Sequence, residues 1–165
     1  MRVLILLFFL SVPALAQELP FSPAATESCL DAAKDRFDGE ACIGLSAEAC
    51  YSREGVYSNY AIGTCLGAEA DYWDRRLNAA YTALMAAETT LLDELNDAGA
   101  TVPDTVSALR DMQRAWIPYR DAACWYEYTT WGGGSGGGPG NAECLMHLTG
   151  RQALALEVRL GARTQ

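Results

Sequence analysis

From about Ala61 to Asn96, apolar residues return at three- and four-residue steps: Leu66, Trp73, Leu77, Ala80, Tyr81, Leu84, Ala87, Leu91 and Leu95. That period predicts one long helix with a single face turned inward. On this pattern Glu69, Arg75, Arg76 and Glu88 fall on the outward face. Gly99 follows as a stop, and Thr101-Val-Pro-Asp104 has the form of a capping box opening a second helix. Val106, Leu109, Met112, Trp116, Ile117 and Tyr119 carry that helix onward, and Pro118 inside it is expected to kink or break it by removing one backbone donor.

Beyond Cys124 the pattern changes. Trp125, Tyr126, Tyr128 and Trp131 form an aromatic run, and residues 132–140 are all glycine except Ser135 and Pro139. Asn141 is then a candidate N-cap for a last helix carrying Leu145, Leu148, Leu154, Leu156 and Val158, with Gly161 as its stop. Gly150 lies within that helix, at a cost of about 1 kcal/mol relative to alanine. Upstream, Ser22-Pro23 starts a short helix with Cys29, Leu30, Ala33 and Phe37, ending near Gly39. Residues 41–51 suggest another brief helix, and 53–59 a loop around Gly55. No run of alternating β-branched residues appears. The expected class is all-α: a small disulfide-stapled helical bundle with two long helices and shorter terminal helices. An N-terminal segment over 17–60 precedes the main helical domain over 61–165.

The first sixteen residues read as a signal peptide rather than as structure. Arg2 is the positive start, Val3 to Leu10 the apolar stretch, and Ala14-Leu15-Ala16 the cleavage site. The stretch is short for a membrane span, no second one follows, and no cysteine after the cut offers a lipid attachment point. An exported protein in the periplasm or outside the cell is expected. All six cysteines (29, 42, 50, 65, 124 and 144) follow the leader, and an even number in an exported chain argues for disulfides. Pairing of sequence neighbours is expected: Cys29 with Cys42, Cys50 with Cys65, and Cys124 with Cys144, which brackets the glycine tract. Metal is not expected, since no CxxC or HxxxH spacing occurs and His147 is the sole histidine.

Charge narrows the partners. With 12 basic and 21 acidic residues the chain has a net charge of −9, and loss of Arg2 makes it one unit more acidic. Such a field serves solubility; it also repels nucleic acid, which requires a basic footprint, and speeds encounter with a cationic partner.

The residues assemble no catalytic constellation, and no enzyme activity or cofactor is expected. Gly133-Gly-Ser-Gly-Gly137 fits GxSxG by letter but lacks the strand that a nucleophile elbow needs. Fully paired cysteines leave no thiol nucleophile, and no two acidic residues stand out as a glycosidase pair. The glycine tract lacks the Lys and Ser/Thr of a phosphate-binding loop. It is either a flexible connection or a working surface. Trp125, Tyr126, Tyr128 and Trp131 beside it are either core residues or anchors for a sugar or a protein. Asp74, Asn78, Arg120, Asp121 and Arg151 are expected to form a structural polar network tying helices together.

Several segments in order resemble the lysozyme inhibitor LprI-like N-terminal domain family of small secreted bacterial proteins. They are Trp73-Asp74-Arg-Arg-Leu77-Asn78-Ala-Ala-Tyr81, then Gln113-Arg-Ala-Trp116-Ile-Pro-Tyr119-Arg120-Asp121-Ala-Ala-Cys124, then Gly133-Gly134-Ser135, Cys144-Leu145 and Leu148-Thr149-Gly150-Arg151. The resemblance covers roughly residues 65–160. It implies an all-α, disulfide-containing fold and inhibition of lysozyme. Joined to the charge and the stapled loop, it leads to an expectation of non-covalent occlusion: Gly133, Gly134 and Ser135, flanked by Trp125, Tyr126, Tyr128 and Trp131, enter the cleft of a cationic lysozyme-type muramidase. The alternative is a non-catalytic binding or structural module of the cell envelope, contacting peptidoglycan.

Overall fold

A computed structural model describes residues 20–53 and 57–164. The signal peptide expected over 1–16 and the centre of the loop expected around Gly55 lie outside the described residues. The elements are α1 (Ala24–Ala32), α2 (Arg36–Glu40), α3 (Leu45–Tyr51), α4 (Asn59–Asp97), α5 (Thr105–Thr130) and α6 (Gly137–Arg163), with no strand among the described residues. α4 and α6 run side by side in parallel and share the largest interface; α5 returns antiparallel between their ends. α3 lies on α4, α2 on α6, and α1 on α3.

The inward stripe of α4 is longer than its apolar residues suggest. Its buried positions include Leu66, Glu69, Trp73, Leu77, Ala80, Leu84 and Glu88, one unbroken series at helical spacing. Glu69 and Glu88 therefore occupy core register, not the outward face expected for them. A search for apolar residues passes over both.

Glu69 is fully buried and makes no ion pair among the described residues. Its Oε1 accepts from Thr26 Oγ1 at 2.8 Å, from the Gly44 N–H at 2.8 Å and from Trp73 Nε1 at 3.2 Å. Its Oε2 accepts from the Ala47 N–H at 2.6 Å. Thr26 and Ser46 complete the arrangement: the Thr26 N–H donates to Ser46 Oγ at 2.9 Å, and the Ser46 N–H to Thr26 Oγ1 at 3.1 Å. Gly44 takes a left-handed conformation, φ 101°, immediately before α3, so its N–H and that of Ala47 converge on one carboxylate. One side chain of α4 thus holds α1, the turn before α3 and the start of α3. Two cystines, Cys29–Cys42 and Cys50–Cys65, fasten the same piece.

Around this polar centre the core is apolar: Trp73, Leu77, Leu84, Met146, Ala153 and Leu156 are buried together. Gly150, costly in helical propensity, has a packing reason. A Cβ there would approach Ile43 Cδ1 to 2.8 Å and Trp73 Cδ2 to 3.2 Å. Arg76 crosses from α4 to Glu157 of α6 through two 2.9 Å hydrogen bonds, and its guanidinium stacks over Trp73 at 5.3 Å.

Several boundaries differ from expectation. The short helix predicted to run to Gly39 divides at Asp35, whose carboxylate caps α2 by accepting from the Phe37 and Asp38 N–H groups; Phe37, placed on that short helix, is exposed on α2. Asp104, not Thr101, caps α5, accepting from the Ser107 N–H at 2.9 Å. α5 continues through Pro118, which sits on an exposed face of the helix. α6 begins inside the glycine tract and continues past Gly161, where Arg163 is held by Glu88 at 2.7 Å. The bundle therefore has three long helices rather than two.

Replacing Glu69 by Gln keeps size but turns one acceptor into a donor facing donors. A buried group left unsatisfied costs about 1–3 kcal/mol, so Glu69→Gln is expected to lower the free energy of urea unfolding by about that amount, and Glu69→Ala by more. A Glu69→Gln protein as stable as the parent contradicts this role.

Candidate functional site

α5 is the most lightly packed of the three long helices; only Leu109, Gln113 and Cys124 are buried along it. Cys124 is bonded to Cys144, and Asn141 Nδ2 donates to the Cys124 carbonyl at 2.9 Å. Asn141, expected as an N-cap, instead latches α6 to α5. This double attachment sets where the chain leaves α5 and re-enters as α6.

The connection is built by packing, not by looseness. Gly132 and Gly133 adopt φ of 56° and 84°, which glycine tolerates without strain. The Gly134 N–H donates to the Trp131 carbonyl at 2.9 Å, and the Gly137 N–H to the Gly134 carbonyl at 3.1 Å. The Trp131 ring then packs against Gly136 and Gly140: a Cβ on Gly136 would overlap the ring, and one on Gly140 would come 2.7 Å from Nε1. Tyr128 covers Gly137 in the same way, its ring 3.1 Å from a Cβ built there. The glycines are absent side chains that make room for two aromatic rings.

Trp131 is nevertheless 49% exposed, and Trp125 and Tyr126 are 62% and 70% exposed. Trp125 and Tyr128 stack with centroids 5.1 Å apart and planes 12° apart. Two tyrosines not singled out in the sequence share this end of the bundle, Tyr57 and Tyr60, the latter 81% exposed. An open groove of about 490 Å³ runs between the first turn of α4 and the glycine turn, lined by Asn59, Tyr60, Thr64, Ser135 and Pro139. Asn59 Nδ2 donates to Ser135 Oγ at 2.8 Å across it. Ser58 is the missed signal: as N-cap it accepts from the Ala61 N–H at 3.1 Å and starts α4 early enough to bring Asn59 and Tyr60 to the turn.

Gly133, Gly134 and Ser135 thus form an exposed turn beside Trp125, Tyr126, Tyr128 and Trp131. Four of the five polar-network residues also meet. Arg120 stacks on Trp116 at 5.0 Å, bonds Asp121 at 2.7 Å and reaches Asp74 at 4.0 Å; Asn78 Nδ2 donates to Asp74 at 2.8 Å. Arg151 stands apart, paired with Glu40 at 3.6 Å. These pairs are partly solvated and contribute little each.

No Lys or Arg occurs between Arg53 and Arg75 or between Arg120 and Arg151, the two segments that build this end. Glu127 and Glu143 are on them. The Tyr51 phenol is pushed up by burial first and then by Glu48 and Glu143, consistent with a negative surrounding. His147 is half-buried and held below its ordinary value, chiefly by burial and also by Arg151, against the opposing pull of Glu143 and Glu69. Its surroundings favour a neutral packed imidazole.

Together the fold and its end surface define a cystine-stapled all-α domain that presents an exposed aromatic tip. The family model described as "Lysozyme inhibitor LprI" matches residues 50–156, and the chain belongs to that family. It is similar to an uncharacterized 17.7 kDa protein in the puhA 5'region of Rhodobacter capsulatus, 29% identical over 133 residues, covering 80% of this chain and 82% of that protein. It is also similar to an uncharacterized protein, R02472, of Rhizobium meliloti (strain 1021), 35% identical over 92 residues, covering 54% of this chain and 66% of the relative. No solved structure matches the chain.

Two measurements check this description. If the tract were a loose linker, alanine at Gly140 would be neutral or stabilising; with Trp131 against it, Gly140→Ala is expected to destabilise by about 1–3 kcal/mol. Gly67, with nothing within 4 Å of a Cβ, is the control, and Gly67→Ala is expected to stabilise by about 0.5–1 kcal/mol. Thermal unfolding of both variants reads the opposite signs. Separately, below the usual histidine value of 6.5 the unfolded chain takes up a proton at His147 that the folded chain resists. The stability from neutral His147 is therefore full above that value and lost as pH falls through the depressed folded one. His147→Gln is expected to flatten the pH dependence of the urea midpoint in that window.

Proposed function

We propose that this protein is an exported, non-enzymatic inhibitor of lysozyme that acts by occluding the substrate cleft with the tip formed by the α5–α6 turn. Family membership supports the target class, and three cystines suit an oxidising compartment. The observation that carries the mode of action is the tip itself, where exposed Trp125, Tyr126, Trp131 and Tyr60 surround a narrow glycine turn built from segments without a basic side chain. Lysozymes that cut peptidoglycan are commonly cationic around a long cleft, so an acidic partner is steered toward them. The turn is slim enough to enter; the N–H groups of Gly132, Gly134 and Gly137 bond within the chain, and those of Gly133 and Ser135 are the donors left to offer a cleft carboxylate. The exposed aromatics are the anchors, since Trp and Tyr are enriched among the few central residues that carry most of the binding energy in protein interfaces. No helix among the described residues is long and apolar enough to cross a membrane.

A second reading is favoured by the groove at the same end. Tyr60 and Pro139 beside Asn59, Thr64 and Ser135 combine a stacking surface with small polar groups, the chemistry that holds a sugar. On this reading the domain contacts the glycan of the cell wall without cutting it.

Titration of the purified disulfide-bonded protein into a c-type lysozyme lysis assay tests the first reading. Dose-dependent inhibition is expected, weakened about tenfold or more by Trp131→Ala or Tyr60→Ala, and unchanged by Tyr119→Ala on the exposed side of α5. Absence of inhibition at high micromolar concentration rejects it. Co-sedimentation with purified cell-wall sacculi in the absence of lysozyme supports the second reading instead.

A further inference from the structure

One side of α5 has the pattern of a buried helix face and is not buried. Ala108, Met112, Ala115, Tyr119, Ala122 and Tyr126 succeed one another at alternating steps of four and three residues, which at helical pitch sets them in a single stripe. All six are exposed, and none carries a charge. A continuous apolar stripe at this period is the mark of a helix face that packs against something. Bulk alternates along it as well: alanine, methionine, alanine, tyrosine, alanine, tyrosine. The helix that carries the stripe is neutral, with Arg110, Arg114 and Arg120 balancing Asp111, Asp121 and Glu127, in a chain whose net charge is −9.

The alternation decides what this face fits. A second α5, turned antiparallel about the level of Ile117, sets position 108 against 126, 112 against 122 and 115 against 119. At every level a large side chain then meets an alanine. A parallel pair would set each residue against itself, tyrosine on tyrosine and alanine on alanine. Matching in which residue i meets j and j meets i is the property of a two-fold interface. The antiparallel register also brings the partner's Tyr126 onto Ala108, at the edge of a pocket of about 250 Å³ whose apolar wall is Leu84, Leu109 and Met112. Tyr119 and Tyr126 are 62% and 70% exposed. At about 150–250 Å² for a whole aromatic side chain, these two with Met112 and the alanines offer roughly 450 Å² per copy. A pair thus buries about 900 Å² before flanking residues are counted, against the roughly 1,000 Å² of a specific interface. Neutral α5 adds no close repulsion, and salt screens the more distant charge. We propose that this face is a homodimer interface in which two copies pair α5 against α5 in antiparallel. The two glycine turns then point to opposite ends, with Trp131 and Tyr60 outside the stripe, so the interface is independent of what the tip binds.

Sedimentation equilibrium of the purified, disulfide-bonded protein from about 1 μM to about 1 mM tests the proposal, a range suited to an interface of this size. The mass is expected to rise from one chain to two and to stop there. Tyr119→Ala leaves alanine opposite alanine, and Ala115→Tyr sets tyrosine against tyrosine; each is expected to weaken association about tenfold or more. Joining both changes in one chain puts a large residue opposite a small one again at both levels. The double variant is therefore expected to return to within about threefold of the parent, a coupling that only contact between the two positions produces. Both positions are exposed, so all three variants are expected to keep the parent's far-ultraviolet circular dichroism when dilute. A single-chain mass at the highest concentration, growth beyond two chains, single variants that associate like the parent, or a double variant no tighter than the single ones each overturns the proposal.

Discussion

The Glu69 carboxylate is the constraint on which the rest of the structure depends. Burying it would be prohibitive if it stood alone, since an unpaired carboxylate in a protein interior loses its hydration without replacement. Here four donors from separate parts of the chain replace the water. The requirement runs both ways. Gly44 must turn left-handed to aim its N–H, α3 must begin where Ala47 can reach, and Trp73 must present its indole N–H from one turn along α4. Once these are met, Trp73 is fixed, and with it the Trp73–Gly150 contact that sets how closely α6 approaches α4.

The two ends of the bundle follow different logic from this centre. At the tip, α5 contributes little buried surface, and its position comes from Cys124–Cys144, from Asn141 and from two rings seated on glycine backbone. At the other end, the Glu88–Arg163 pair joins the C-terminal portions of α4 and α6 beside a pocket. A rigid middle with lightly packed ends allows the exposed surfaces to differ without disturbing the shared frame.

Much of the fold was legible from residue spacing. The apolar repeat of α4, the stop at Gly99 and the absence of alternating β-branched runs define an all-α bundle, and sequence-neighbour pairing describes the three cystines. What escaped has a common cause: local pattern does not reveal whether a polar group finds partners elsewhere in the chain. Glu69 and Glu88 look like surface residues until Thr26, Ala47 and Arg163 are placed against them. Asn141 looks like a cap until the Cys124 carbonyl stands opposite. The glycine tract looks like a linker for the same reason, because a missing Cβ acquires meaning only when Trp131 occupies the space. At the tip, the aromatic run was visible in sequence, whereas Tyr60 and Asn59 joined it only through the early start of α4 at Ser58.

The three cystines link residues separated by 13, 15 and 20 positions, and none spans or interleaves with another. Each cysteine is bonded to the next one along the chain. A chain threaded through a membrane from its N-terminus would expose these partners in consecutive order, so an oxidant that joins each newly emerged thiol to the one before it makes every native bond at the first attempt. For a chain exported in that way, this pairing would demand oxidising power but no reshuffling of bonds.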